Sequence, residues 1–181
     1  YQASSGYFSN LNEINIKPMP DKIITNGNIT RKKILKHSAF DDNFIITGCA
    51  LRYEYLRKIK KIKKNKISKI IIPLEGVFNV DIFVSKILQI AIHNKNLLFT
   101  IRPHPVLKWI DLKKRIEYNV DEITNVKISN NKSLIDDLKN SNLCIYWSSA
   151  ACIEALQMGI PVIHFKIEKT FSFDPLFNCK Y

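Results

Sequence analysis

The stretch IRPHP, residues 101–105, places an arginine and a histidine among prolines where an apolar run must stop. Further on, SSAACIEALQMG, residues 148–159, places two serines and a glutamate at the head of a helical pattern. An imidazole changes charge near neutral pH, so a rigidly held one can bind a phosphate or give it a proton. Pro103 and Pro105 keep the backbone around His104 extended, and Pro105 suits the first turn of a following helix. His104 is the candidate catalytic group. Arg102 either joins it on an anion or packs against the sheet edge. Ser148 and Ser149 bring hydroxyls next to the free N–H groups of the helix behind them, which makes an anion site. A serine that merely caps the helix explains the same residues. Glu154, a turn and a half further in, can accept bonds from a pair of sugar hydroxyls or simply favour the helix dipole. His93 and His164 read as structural.

These residues need a frame that brings distant loops to one edge. From Lys66 onward the apolar pattern alternates between short β-branched runs and helical spacing. ISKIIIPL (67–74), LLFTI (97–101), NVKIS (125–129), LCIYW (143–147) and PVIHF (161–165) read as strands. Helices are expected at 80–94, 105–117, 133–140 and from about 149 to 158. Ser133 and Asp136 form a loose capping box for the third, and Gly159 stops the last. Strands alternating with helices through short links predict a Rossmann-like parallel sheet with helices on both faces. Ligands bind such sheets beyond the carboxyl ends of the strands. That edge receives Glu75 and Gly76, Arg102 and His104, Ser129 and Asn130, and Ser148 and Ser149. Before it, DKIITNG (21–27), ITRKKILKH (29–37) and NFIITG (43–48) read as strand, helix and strand, the tail of a second α/β domain.

The domains expected are therefore 1–56, the end of an amino-terminal domain with its linker; 57–66, a basic linker; 67–170, the Rossmann-like domain; and 171–181, the start of a returning segment. The opening YQASSGYFSN reads as the interior of a longer chain, so a fragment is expected. The formal charge of +12 over 181 residues gathers in RKIKKIKKNKISK, residues 57–69. A solvated linker explains it, and the Ile59 and Ile62 stripe leaves peripheral membrane attachment open. No aromatic side chains interleave the lysines, so nucleic acid is not expected as a partner. Cys49, Cys144, Cys152 and Cys179 lie far apart without ligand spacing, which predicts reduced thiols and no metal. The acidic pairs 41–42 and 136–137 read as surface acids. With no long apolar span and no leader pattern, the chain is expected in the cytoplasm, with the inner membrane face as a further address.

The combination of PHP at 103–105, SS at 148–149 and EALQMGIPVI at 154–163 resembles the nucleotide-binding half of GT-B glycosyltransferases. Among these it resembles the bacterial sialyltransferases, polysialyltransferases and Kdo-type capsule transferases that carry HP and SS motifs. The segment DKIITNGNITRKKILKHSAFDDNFIITGCALRYEYL is similar to the end of the GT-B amino-terminal domain and its linker. The resemblance implies a metal-independent transferase without a cofactor. Its donor would be CMP-sialic acid or CMP-Kdo, and its acceptor a surface polysaccharide or glycolipid. His104 would contact or protonate the departing phosphate, Ser148, Ser149 and Arg102 would bind that phosphate, and Glu154 would hold the ribose. Glu75, Gly76 and Asn130 would line the loops. The acidic motif that supplies the family's general base has no match here.

Two alternatives accompany this expectation. CDP-glycerol-type transferases and UDP-sugar 2-epimerases resemble the same region, although LEGVFN after the first strand lacks the basic cluster a second phosphate would favour. A non-catalytic basic module for a polyanion or membrane is the alternative of another class, and steep salt dependence would reveal it.

Overall fold

The computed structural model describes residues 2–3, 21–37, 40–48, 51–59, 61, 66–76, 79–167 and 174–176. Residues 60 and 62–65 of the lysine run, Cys49, Cys179 and most of the 171–177 tail lie outside the described residues. The chain divides into two units, Tyr1–Tyr55 and Leu56–Tyr181.

Among its described residues the first unit holds three parallel strands in the order β1 (Gln2–Ala3), β2 (Ile23–Thr25), β3 (Ile45–Thr47), with α1 (Asn28–His37) between the last two. Ile23 and Ile45 alternate inward and pack on Ile34 of α1, joined by Leu35, Phe40 and Phe44. Arg31 of α1 fixes the entry to β3 by bonding Ile45 O at 3.1 Å and pairing with Asp42 at 2.7 Å. A 3-10 segment, Leu51–Lys58, follows.

The second unit is a five-stranded parallel sheet. Its strands are β4 (Lys69–Pro73), β5 (Leu98–Arg102), β6 (Val126–Ile128), β7 (Leu143–Tyr146) and β8 (Val162–His164), in the spatial order β6-β5-β4-β7-β8. The expected parallel α/β architecture is what the chain adopts. The order runs outward from β4 to β6 and then resumes on the other side at β7, which puts a topological switch between β4 and β7.

Alternation along the buried strands serves both faces. Ile70, Ile72, Phe99 and Ile101 share a core with α2 (Val80–His93), which contributes Val80, Phe83, Val84, Ile87, Leu88 and Ala91. Each such burial is worth about 2 kcal/mol before chain entropy is counted. Cys144 points to the opposite face, where it meets Cys152 of α5 (Ala151–Gln157). Asn142 Oδ1 accepts bonds from Ser68 and Lys69 N–H at 3.2 and 2.9 Å, tying β7 to the start of β4.

Local signals set most ends. Gly159, at φ 79°, closes α5 with the paired bonds Gly159 N to Leu156 O and Ile160 N to Ala155 O, both 2.9 Å, a Schellman stop. Ser133 caps α4 (Leu134–Lys139) by accepting from Ile135 N at 3.1 Å. The helix expected over 105–117 is a single short one, α3 (Trp109–Lys113). Pro105 does not begin it: Leu107 N bonds His104 O at 2.8 Å, closing a turn with proline in its second position.

Candidate functional site

The carboxyl ends of β4, β5 and β7 lie side by side, with β4 in the middle. The exit of β4 meets that of β5 directly. A Cβ added to Gly76 would sit 3.0 Å from His104 Nδ1 and 2.5 Å from Val106 Cγ2, so only a glycine lets the β4 loop come this close to the imidazole. Val106 N–H donates to His104 Nδ1 at 3.3 Å. That bond makes Nδ1 the acceptor nitrogen and leaves the proton of the neutral ring on Nε2. Nε2 has no hydrogen-bond partner among the described residues, and the ring is half-buried. Glu75 is half-buried beside Gly76, which is exposed.

At the exit of β7, Ser148 is half-buried and Ser149 buried. The helix expected from 149 begins at Ala151, and Ser149 Oγ accepts from Ala151 N at 3.4 Å. Ser149 is thus engaged at the helix start, while the residue at the N-cap is Ala150, which makes no side-chain cap bond. Glu154 is only 4% exposed on the inner side of α5. Trp147, also at this exit, is buried against Phe83 with its Nε1 lacking a hydrogen-bond partner among the described residues.

Arg102 is committed to other groups than an anion in the crevice. Its Nη1 pairs with Asp137 Oδ2 at 2.6 Å and donates to Asn131 O at 3.0 Å, with Ser129 Oγ and Ser133 O at 3.4 Å. Its Nη2 reaches Lys132 O at 3.4 Å. Asp137 also accepts from Ser129 Oγ and from Asn131 Nδ2, each at 2.6 Å. The acidic pair at 136–137 is thereby split: Asp136 is exposed, but Asp137 is 4% exposed and is not a surface acid. One helical step of about 100° turns Asp137 inward onto Arg102. Asn130 is exposed at the tip of this loop and holds none of these bonds.

A second cluster closes the β7–β8 end of the edge. Tyr146 donates its hydroxyl to Asp174 Oδ1 at 2.8 Å, Leu176 N–H donates to the same oxygen at 2.9 Å, and Leu176 is buried. His164 bonds Trp147 O through Nε2 at 2.9 Å and has Nδ1 3.7 Å from Asp174 Oδ2. This accords with a structural His164, and His93 likewise bonds Gln89 O one turn back at 2.8 Å. Asp137, Asn131 and Asp174 had no signal in sequence, because their partners come from other strands and loops.

No family model matches the chain, and no curated protein matches it. Solved structures do. UDP-GlcNAc 2-epimerase from Rickettsia bellii superposes with a TM-score of 0.61 at 16% identity, over 97% of this chain and 50% of that one. UDP-GlcNAc 2-epimerase from Neisseria meningitidis, solved bound to UDP-GlcNAc, gives 0.57 at 14% identity over 90% of this chain and 52% of that one. TarM gives 0.54 at 18% identity over 87% of this chain and 31% of that one. The chain has the GT-B type of Rossmann-like fold, and it spans about half the length of the two epimerases.

Proposed function

We propose that the crevice between β4, β5 and β7 binds a nucleotide sugar and that the chain is the donor-binding half of a glycosyltransferase. The observation that carries this reading is the arrangement of His104: Nδ1 engaged by Val106 N–H, Nε2 unspent, and the β4 backbone drawn close by Gly76. In a half-buried site, an imidazole N–H aimed at a phosphate is worth more than in water, and most when the leaving group gains charge. His104 would stabilise or protonate the departing phosphate as positive charge develops on the sugar. Ser148 and Ser149 would hold the phosphate from β7, with Glu154 set behind them for the ribose. Glu75 and Gly76 would line the crevice.

The HP and SS pattern favours CMP-sialic acid or CMP-Kdo as donor. The acceptor would be a polysaccharide or glycolipid met in the cytoplasm at the inner membrane face, and the scheme requires no metal. A UDP-sugar 2-epimerase is the second reading, favoured by the superposition on structures of that enzyme, one of them bound to UDP-GlcNAc. Calorimetric titration with CMP, CDP, UMP and UDP decides between them, repeated on His104→Ala and Ser149→Ala. Cytidine selectivity lost in both variants supports the transferase, and uridine selectivity supports the epimerase. Binding that neither substitution disturbs would remove the site.

A further inference from the structure

We propose that Asp174 and His164 are positioning residues: together they fasten the 174–176 segment to the end of β7 and set where Ser148 and Ser149 meet the phosphate. The inference rests on the nucleotide-sugar reading and adds what orients its phosphate loop. Within the sheet, a carbonyl is held by the backbone of the neighbouring strand. Tyr146 O, at the end of β7, accepts from Phe165 N at 2.8 Å in this way. One residue further on, Trp147 O is held by a side chain, because His164 Nε2 donates to it at 2.9 Å. The peptide group is planar, so holding Trp147 O also fixes the plane from which Ser148 starts.

A carbonyl held this way is only as well placed as the ring that holds it. The His164 ring stands beside that of Tyr146, with centroids 5.2 Å apart, and its Nδ1 lies 3.7 Å from Asp174 Oδ2. Asp174 is itself fixed from both sides. Its Oδ1 accepts from the Tyr146 hydroxyl at 2.8 Å and from Leu176 N at 2.9 Å. Leu176 is buried and seats the segment. Burial of Leu176 alone would hold the segment to the sheet. What the carboxylate adds is direction: it bonds the last residue of β7 and stands beside the imidazole that holds the next carbonyl. A displacement of about 1 Å in a binding loop can cost up to about a hundredfold in function, which gives that direction a use. Coupling is mutual, so an anion on Ser148 and Ser149 should in turn steady the segment that positions them.

The test is calorimetric titration of the 181-residue chain with inorganic pyrophosphate, CMP and UMP. The proteins are wild type, His164→Gln, His164→Phe, Asp174→Asn and Asp174→Ala, each checked for folding by circular dichroism. His164→Phe keeps a ring but loses the donor to Trp147 O, and Asp174→Ala loses the acceptor for Tyr146 and Leu176. Both should weaken all three ligands by one common factor of about fivefold, since the phosphate is what the ligands share. His164→Gln keeps an N–H for Trp147 O, Asp174→Asn keeps an oxygen for Tyr146 and Leu176, and both should bind within about twofold of wild type. Pyrophosphate should also slow chymotrypsin cleavage after Leu176 in wild type, and should not do so in His164→Phe. If Asp174→Ala does not fold, the two His164 variants carry the test, and protection of the wild-type segment requires no variant. Absence of that protection, or pyrophosphate binding unchanged in folded His164→Phe and Asp174→Ala, overturns the proposal while leaving the nucleotide site intact. Equal losses in His164→Phe and His164→Gln overturn it as well, because the bond to Trp147 O would then not matter. A wild type that binds none of the three ligands overturns the nucleotide reading and this inference with it.

Discussion

The two sides of one sheet edge treat their polar groups in opposite ways. Between β5 and β6, Arg102, Ser129, Asn131 and Asp137 bond one another at distances down to 2.6 Å. At the exits of β5 and β7, His104 Nε2 and Trp147 Nε1 have no hydrogen-bond partner among the described residues. Groups that satisfy each other build rigidity, and groups left unsatisfied keep their bonding capacity for something else. Arg102 and His104 show how local the division is, since they stand two residues apart in the chain.

Substitutions should separate the two behaviours. Asp137→Ala strands the Arg102 guanidinium, whose side chain is 19% exposed, and is expected to cost about 3 kcal/mol in urea unfolding. A loss below about 1 kcal/mol would mean that water replaces the carboxylate and that the β5–β6 side is not the rigid one. Gly76→Ala should do the reverse. The new methyl group presses on His104 Nδ1 and Val106, so nucleotide affinity should fall about tenfold while the unfolding midpoint hardly moves. Equal losses of affinity and stability there would erase the contrast.

Tyr146→Phe removes the hydroxyl bond to Asp174 and is expected to cost about 1 kcal/mol, read as a lower thermal midpoint. It also tests whether the β7–β8 end is closed, because a loosened 174–176 segment should become more sensitive to limited proteolysis. The smallest effect is expected at Cys144. Burial, with Cys152 alongside, pushes its thiol far above the ordinary range, so the folded protein should not release Cys144 to a thiol reagent at pH 8. Rapid labelling of Cys144, located by peptide mapping, would show that this part of the core opens.

Much of the frame was legible in the sequence because its causes are local. β-branched runs, helical spacing, the Ser133 cap and the Gly159 stop announce themselves within a few residues. The exception is 105–117, where a proline suited to a first helical turn instead made a turn of its own, and the helix waited until Trp109. Proline's fixed φ fits both, so local preference did not separate them. Of the site, the sequence delivered which residues reach the edge, since every strand of a parallel sheet ends on the same side.

By itself, then, the sequence determined the order of elements and the short list of edge residues, through periodicities of two and 3.6 residues that any window of the chain displays. The tertiary structure alone decided which of those residues are spent. Arg102 meets a carboxylate 35 positions away, and Gly76 meets a ring 28 residues further along. A hydrogen bond or close contact across such a separation depends on how strands and loops are brought together in space, and no local pattern encodes it.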